Sequence, residues 1–289
     1  MVEKNQAEII LEKYAQRLGS KGKTRQLYLN YAKDFLEYSG AIFDRESIEK
    51  YLEHLRRSHH RSDGTVNFIF RLIRTMANRN NIEWPFNRGD SPQIREDRIK
   101  APALDPTLII EMIEAVKAKG DTAEKAFLAI STTYGARKEE MVELTDQEVN
   151  IKDQVLHIAT KKHGRERTHL IPGEILPYLQ GYDFSKPITE SAVFMLWYRI
   201  EHLIGLQHTD QVGWHAIRRT LDTLLLESLP VTTVRMFLRW KKGTSSDMAF
   251  RYSAQRFVGR EGTKTKVVGE YLEADTKVFN VHPFLKYWR

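Results

Sequence analysis

The chain has 289 residues, 45 Lys+Arg against 38 Asp+Glu, a formal charge of +7 and 41% hydrophobic residues, enough for two modest domains with real cores. It contains no cysteine, which excludes disulfides, zinc–thiolate sites and a thiol nucleophile. No apolar run approaches the roughly 20 residues of a membrane helix, and the opening MVEKNQAEII lacks the basic-then-apolar pattern of a secretory signal, so a soluble, cytoplasmic protein without membrane association is expected.

In chain order, residues 1–85 read as four short helices. Ile9, Ile10, Tyr14 and Leu18 form one apolar stripe, and Leu27, Tyr28, Tyr31 and Phe35 a second, with Gly40 as a stop. Asp44 is placed to cap a third helix carrying Ile48, Tyr51, Leu52 and Leu55. Thr65 leads a fourth with Phe68, Ile69, Leu72, Ile73 and Met76. Four such helices make a compact bundle. Periodicity then stops, and the turn-rich stretch 86–102 reads as a linker.

The rest, 103–289, opens with Asp105 and Pro106, an N-cap and first-turn pair. Helices are predicted to about Ala118, over Ala123–Tyr134 and over Arg137–Leu144. Strands are predicted at Glu148–Ile151, Val155–Thr160 and Thr168–Ile171, with a basic turn at 161–167. Helical patterns return at Glu190–Leu203, Trp214–Glu227, Val231–Trp240 and Ser246–Phe257. The expected fold is mainly α with a small antiparallel β-sheet.

Positive charge gathers in two tracts. Arg56, Arg57, Arg61, Arg71, Arg74 and Arg79 face one acid, Asp63. Between Arg235 and Lys266, nine basic residues, including Lys241 and Lys242, face only Asp247 and Glu261. One tract in each half can grip a polyanion from two sides; solvated helix faces are the plainer alternative.

Three stretches carry chemistry. Gly135, Arg137, Glu140 and Leu144 form the first, His215 and Arg218 the second, and Leu238, Arg239 and Trp240 followed by Tyr252 the third. Two arginines offer planar forks of donors to the non-bridging oxygens of a phosphodiester. A phenol can hold the broken bond as an ester, provided a neighbour such as His215 takes its proton. A hairpin lysine, Lys161 or Lys162, can protonate the leaving oxygen.

In these boxes the chain resembles the tyrosine recombinase, or phage integrase, family. Gly135, Arg137, Glu140 and Leu144 match its first arginine box, His215 and Arg218 its His-x-x-Arg box, and Lys162 to Arg167 its lysine hairpin. The resemblance reaches the N-terminal bundle at Lys23-Thr24 and Gly64-Thr65. Two departures stand out. Leu238, Arg239 and Trp240 replace the usual Leu-Gly-His, and Lys241 to Thr244 lengthen the path to Tyr252.

The resemblance implies a helical core-binding domain at 1–85, a linker at 86–102, and a catalytic domain at 103–289. The two domains would close a C-shaped clamp on duplex DNA. It implies a catalytic set of Arg137, Lys162, His215, Arg218, Trp240 and nucleophile Tyr252, with Lys162 preferred to Lys161 as acid through its spacing to Arg165 and Arg167. Arg56, Arg57, Arg61, Arg71, Arg74, Lys161, Arg165, Lys241 and Lys242 would contact DNA. It further implies a site-specific recombinase that is monomeric when free and tetrameric on synapsed sites. A Holliday-junction intermediate and no metal or nucleotide cofactor go with that activity. The apolar tail at Val278-Phe279 and Phe284 to Trp288 is expected to pack on a neighbouring subunit, with packing on its own domain as the alternative. About 85 residues before the linker leave no room for an arm-binding domain, which leans towards a simple integrase or Xer-like resolvase. Alternatives are a type IB topoisomerase, a non-catalytic DNA-binding regulator of the same fold, and a metal nuclease using His202, His208, Asp210 and His215.

Overall fold

A computed structural model describes residues 5–87, 90, 103–159, 166–209, 212–240 and 274–289. Contacts divide the chain into two compact units, one within residues 1–98 and one within 99–289.

The first unit holds α1 (Gln6–Gln16), α2 (Gly22–Ser39), α3 (Arg45–Arg57) and α4 (Asp63–Arg79). Asp44 accepts from Ser47 N at 2.7 Å and starts α3. Gly40, at φ 62°, ends α2 in the left-handed conformation that glycine adopts without steric cost. The core joins Phe35, Ile48, Tyr51, Leu55, Ile69, Ile73 and Met76, all buried. Two expectations change. Leu27 is 45% exposed, because α2 buries Ala32, Phe35 and Leu36 instead. The fourth helix starts at Asp63, capped by Ser62, two residues before Thr65. Phe86, read as linker, packs its ring 5.1 Å from Phe70 on this bundle.

The second unit contains α5 (Pro106–Lys119), α6 (Thr122–Tyr134), α7 (Lys138–Met141), β1 (Val149–Asn150), β2 (Val155–Ile158) and β3 (Arg167–Leu170). It continues with α8 (Leu176–Gln180), α9 (Glu190–Leu203), α10 (Trp214–Ser228) and α11 (Val231–Phe237). Residues 274–280 are helical, and a 3-10 turn covers Leu285–Trp288. The sheet is antiparallel in the order β1-β2-β3, with Val155 opposite Leu170 and Ile158 opposite Arg167. The helix predicted at Ser246–Phe257 lies outside the described residues, and the short α8 was not predicted.

Helix α6 is the centre of this unit. It starts at a capping box between Asp121 and Glu124. Every residue from Ala126 to Tyr134 is buried, and α5, α8, α9 and α10 pack around it. Its far end therefore has a fixed position, and the candidate site begins there. The end of the chain closes the same core. Val278, Phe284, Leu285 and Trp288 are buried in it. The Trp288 indole N–H donates to Thr132 Oγ1 at 3.0 Å, and His282 Nε2 meets Thr133 O at 2.9 Å. These side chains of the tail fill a slot on α6 of their own unit, with their polar atoms paired there. Among the described residues no helix is long and apolar enough to cross a membrane.

Candidate active site

Gly135 ends α6 at φ 56°, its N–H bonded to Ser131 O. The chain reverses there, and Arg137 becomes the N-cap of α7. One turn on, buried Glu140 accepts from Arg137 N at 2.9 Å and from the Arg137 guanidinium at 2.6 Å. One carboxylate thus orients both the backbone and the side chain of Arg137, which keeps 26% of its side chain exposed. A Cβ on Gly135 would lie 3.0 Å from Leu238 Cδ2 and 3.2 Å from Arg218 Cγ, so a larger residue would crowd both as well as strain φ.

His215 and Arg218 stand three residues apart on α10 and so share a face. Arg218 is buried. It donates to Gly135 O at 2.7 Å and, with its other terminal nitrogen, to Leu238 O. His215, Arg137 and Arg219 line one cleft of about 570 Å³, together with Lys138, Phe194 and Tyr198. The His215 ring reaches solvent. Even so, the protein mass around it, and then the charges of Arg218, Arg219 and Arg137, hold its pKa below the ordinary histidine value. Burial, then the charges of Arg239 and Arg137, press on the Arg218 guanidinium in the same sense. Like charges held this close favour an anion between them. Glu140 keeps its charge: burial opposes it, but Arg239, Arg137 and Arg218 win and hold its pKa at about 2.

Trp240 is half-buried against the core, with Arg235 5.6 Å over its ring. It is the last described residue before 274. Tyr252, Lys241, Lys242, Lys161, Lys162 and Arg165 lie outside the described residues. In the bundle, Arg56 pairs with Asp63 at 3.1 Å and Arg57 with Glu53 at 2.6 Å. Arg61, Arg71 and Arg74 are exposed and have no ion pair among the described residues. Of the residues weighed for a metal, His208 bonds Glu201 at 2.8 Å and Asp210 is outside the described set. No group of three possible ligands assembles among the described residues.

His169 and Asp275 are not marked by the sequence, and Arg239 is marked there only as a departure from the usual Leu-Gly-His. Arg239 is wholly buried at φ 58° and donates to Glu140 Oε2 at 2.8 Å, to His169 Nε2 at 3.0 Å and to Tyr134 O at 3.2 Å. An arginine only donates, so His169 Nε2 accepts, and its Nδ1–H faces Asp275 at 3.3 Å. Asp275 also takes Leu170 N at 2.9 Å and the Arg167 guanidinium. Burial holds His169 neutral, with its pKa lowered to about 4.

This fold is that of the tyrosine recombinases. The Tn1549 transposon integrase in complex with circular intermediate DNA is similar over 84% of this chain and 98% of its own, with TM-score 0.60 and 15% identity. A lambda integrase dimer bound to a COC' core site is similar over 84% and 96%, with TM-score 0.62 and 14% identity. The XerH site-specific recombinase bound to palindromic difH substrate is similar over 74% and 72%, with TM-score 0.59 and 14% identity. No protein-family model and no curated protein matches the sequence.

Proposed function

We propose that this protein is a site-specific DNA recombinase that cuts and rejoins duplex DNA through a 3′-phosphotyrosine. The observation that carries the reading is that Arg137 and His215 line one cleft, with Arg218 buried behind it against Gly135 O at the end of α6, on a fold shared with DNA-bound recombinases. The two guanidiniums neutralise the phosphate's non-bridging oxygens as charge builds in the transition state. The Tyr252 phenol oxygen attacks phosphorus, and His215 takes the phenolic proton. The bond from phosphorus to the 5′-oxygen breaks, and that oxygen receives a proton from Lys162. The free 5′-hydroxyl of a partner duplex reverses the sequence, and no bond energy is lost. Trp240 lends one indole N–H. Residues 1–85 and the exposed arginines Arg61, Arg71 and Arg74 hold the duplex, 86–102 connect, and four copies act on two synapsed sites through a Holliday junction. No cofactor is required by this chemistry.

Suicide DNA carrying the site and denaturing electrophoresis test the reading. Wild type should form a covalent adduct insensitive to chelator. Tyr252→Phe should form none while binding DNA within threefold of wild type. An adduct that persists and maps to one of the rival tyrosines, Tyr198 or Tyr271, would reassign the nucleophile, and absence of any adduct from wild type would leave the non-catalytic regulator. Relaxation of supercoiled plasmid by a lone monomer, without strand exchange, would favour the topoisomerase.

A further inference from the structure

We propose that Arg239 is a positioning residue, the buried arginine that holds Glu140 in place and through it aims the Arg137 guanidinium into the cleft. The inference rests on the reading of Arg137 as a phosphate-binding residue. The resembling family has glycine at this position, and φ 58° suits glycine. An arginine there accepts backbone strain and the full cost of burying a charge, and such a placement persists only when its surroundings over-determine it. Here they do. Glu140 Oε2 is shared between Arg137 N at 2.9 Å and Arg239 at 2.8 Å, which leaves Oε1 for the Arg137 guanidinium at 2.6 Å. A carboxylate held by one arginine alone can rotate; held by two arginines and a backbone N–H, it cannot. Arg239 is itself fixed from two further sides, by Tyr134 O at the end of α6 and by His169 on β3, whose other nitrogen faces Asp275. The aim of Arg137 is thereby referred to α6, to β3 and to the C-terminal helix at once. Arg218 hangs from the same frame, because its acceptors, Gly135 O and Leu238 O, belong to the residues next to Tyr134 and Arg239.

The test uses the full chain with Arg239→Met, which keeps length and removes the donors, and Arg239→Lys, which keeps the charge. In Arg239→Met, single-turnover cleavage of suicide DNA should fall at least thirtyfold while the DNA Kd stays within threefold. Arg239→Lys should recover part of the rate, yet stay at least fivefold below wild type, because one ammonium cannot reach Glu140, His169 and Tyr134 together. In DNA-free protein, the guanidinium 15N signals of Arg137 should be sharp in wild type and broadened in Arg239→Met. Unchanged Arg137 signals, or cleavage by Arg239→Met within threefold of wild type, would overturn the proposal. If Arg239→Met does not fold, cleavage by Arg239→Lys at the wild-type rate does so. The NMR arm is independent of catalysis: wild type that forms no adduct defeats the recombinase reading, whereas Arg137 signals decide the positioning.

Discussion

Gly135 serves two demands at a single position, and it is the smallest change that should damage the site. An alanine there costs about 1 kcal/mol for the left-handed backbone, and its Cβ must displace Leu238 or Arg218. Gly135→Ala should lower Tm by several degrees and slow adduct formation more than it weakens DNA binding, measured by melting and by single-turnover cleavage. His215 gives a pH prediction. As the proposed base it must be neutral to take a proton, and its pKa lies below the usual 6.5. The kcat/KM for cleavage, which reports the free enzyme, should therefore reach half its plateau on the acid side below pH 6.5; a midpoint above that value would remove His215 as the base. Lys161 and Lys162 separate with DNA in which sulfur replaces the 5′-bridging oxygen, since a thiolate leaves without a proton. Lys162→Ala should be rescued by sulfur and Lys161→Ala should not; the opposite pattern would shift the hairpin register by one.

Among the elements, those with local causes were legible from the chain. The caps at Asp44 and Asp105, the stop at Gly40 and the three short strands all act within a few residues. The spacing of Gly135, Arg137 and Glu140 was also readable, because a single turn brings them together. Arg239 was not, since Glu140, Tyr134 and His169 are 99, 105 and 70 residues away in sequence. No periodicity carries a partner at that distance. The tail taught a related lesson: its aromatic composition announced burial but not the surface that buries it. Trp288, edge-on to Tyr178 at 4.8 Å and bonded to α6, is now expected to act on stability. Trp288→Ala should cost about 3–5 kcal/mol, read by urea unfolding of the full chain. A loss under 1 kcal/mol with impaired synapsis would favour the intersubunit role.

At the scale of the whole molecule, two buried histidines set an acid limit. His169 and His282 both have folded pKa values lowered to about 4, against 6.5 for an ordinary histidine. The unfolded chain then binds more protons between those values, so stability falls as pH drops from 6.5 towards 4, by up to about 3 kcal/mol per histidine. Urea midpoints across that range should show the decline, and His282→Gln should flatten part of it. Binding to DNA should weaken with salt by about 0.9 in log Kd per log unit for each phosphate neutralised, with Arg61→Ala, Arg71→Ala and Arg74→Ala each lowering the slope; a salt-independent affinity would dismiss the bundle as a phosphate grip. The late closure of the second core, by residues 278–288, bears also on interrupted synthesis. A chain broken off between 253 and 274 would already carry the whole catalytic set proposed above, and would still lack Asp275 beneath β3 and Trp288 against α6. Such fragments should unfold at lower urea than the full chain and form no covalent adduct with suicide DNA, which a series of C-terminal truncations would read.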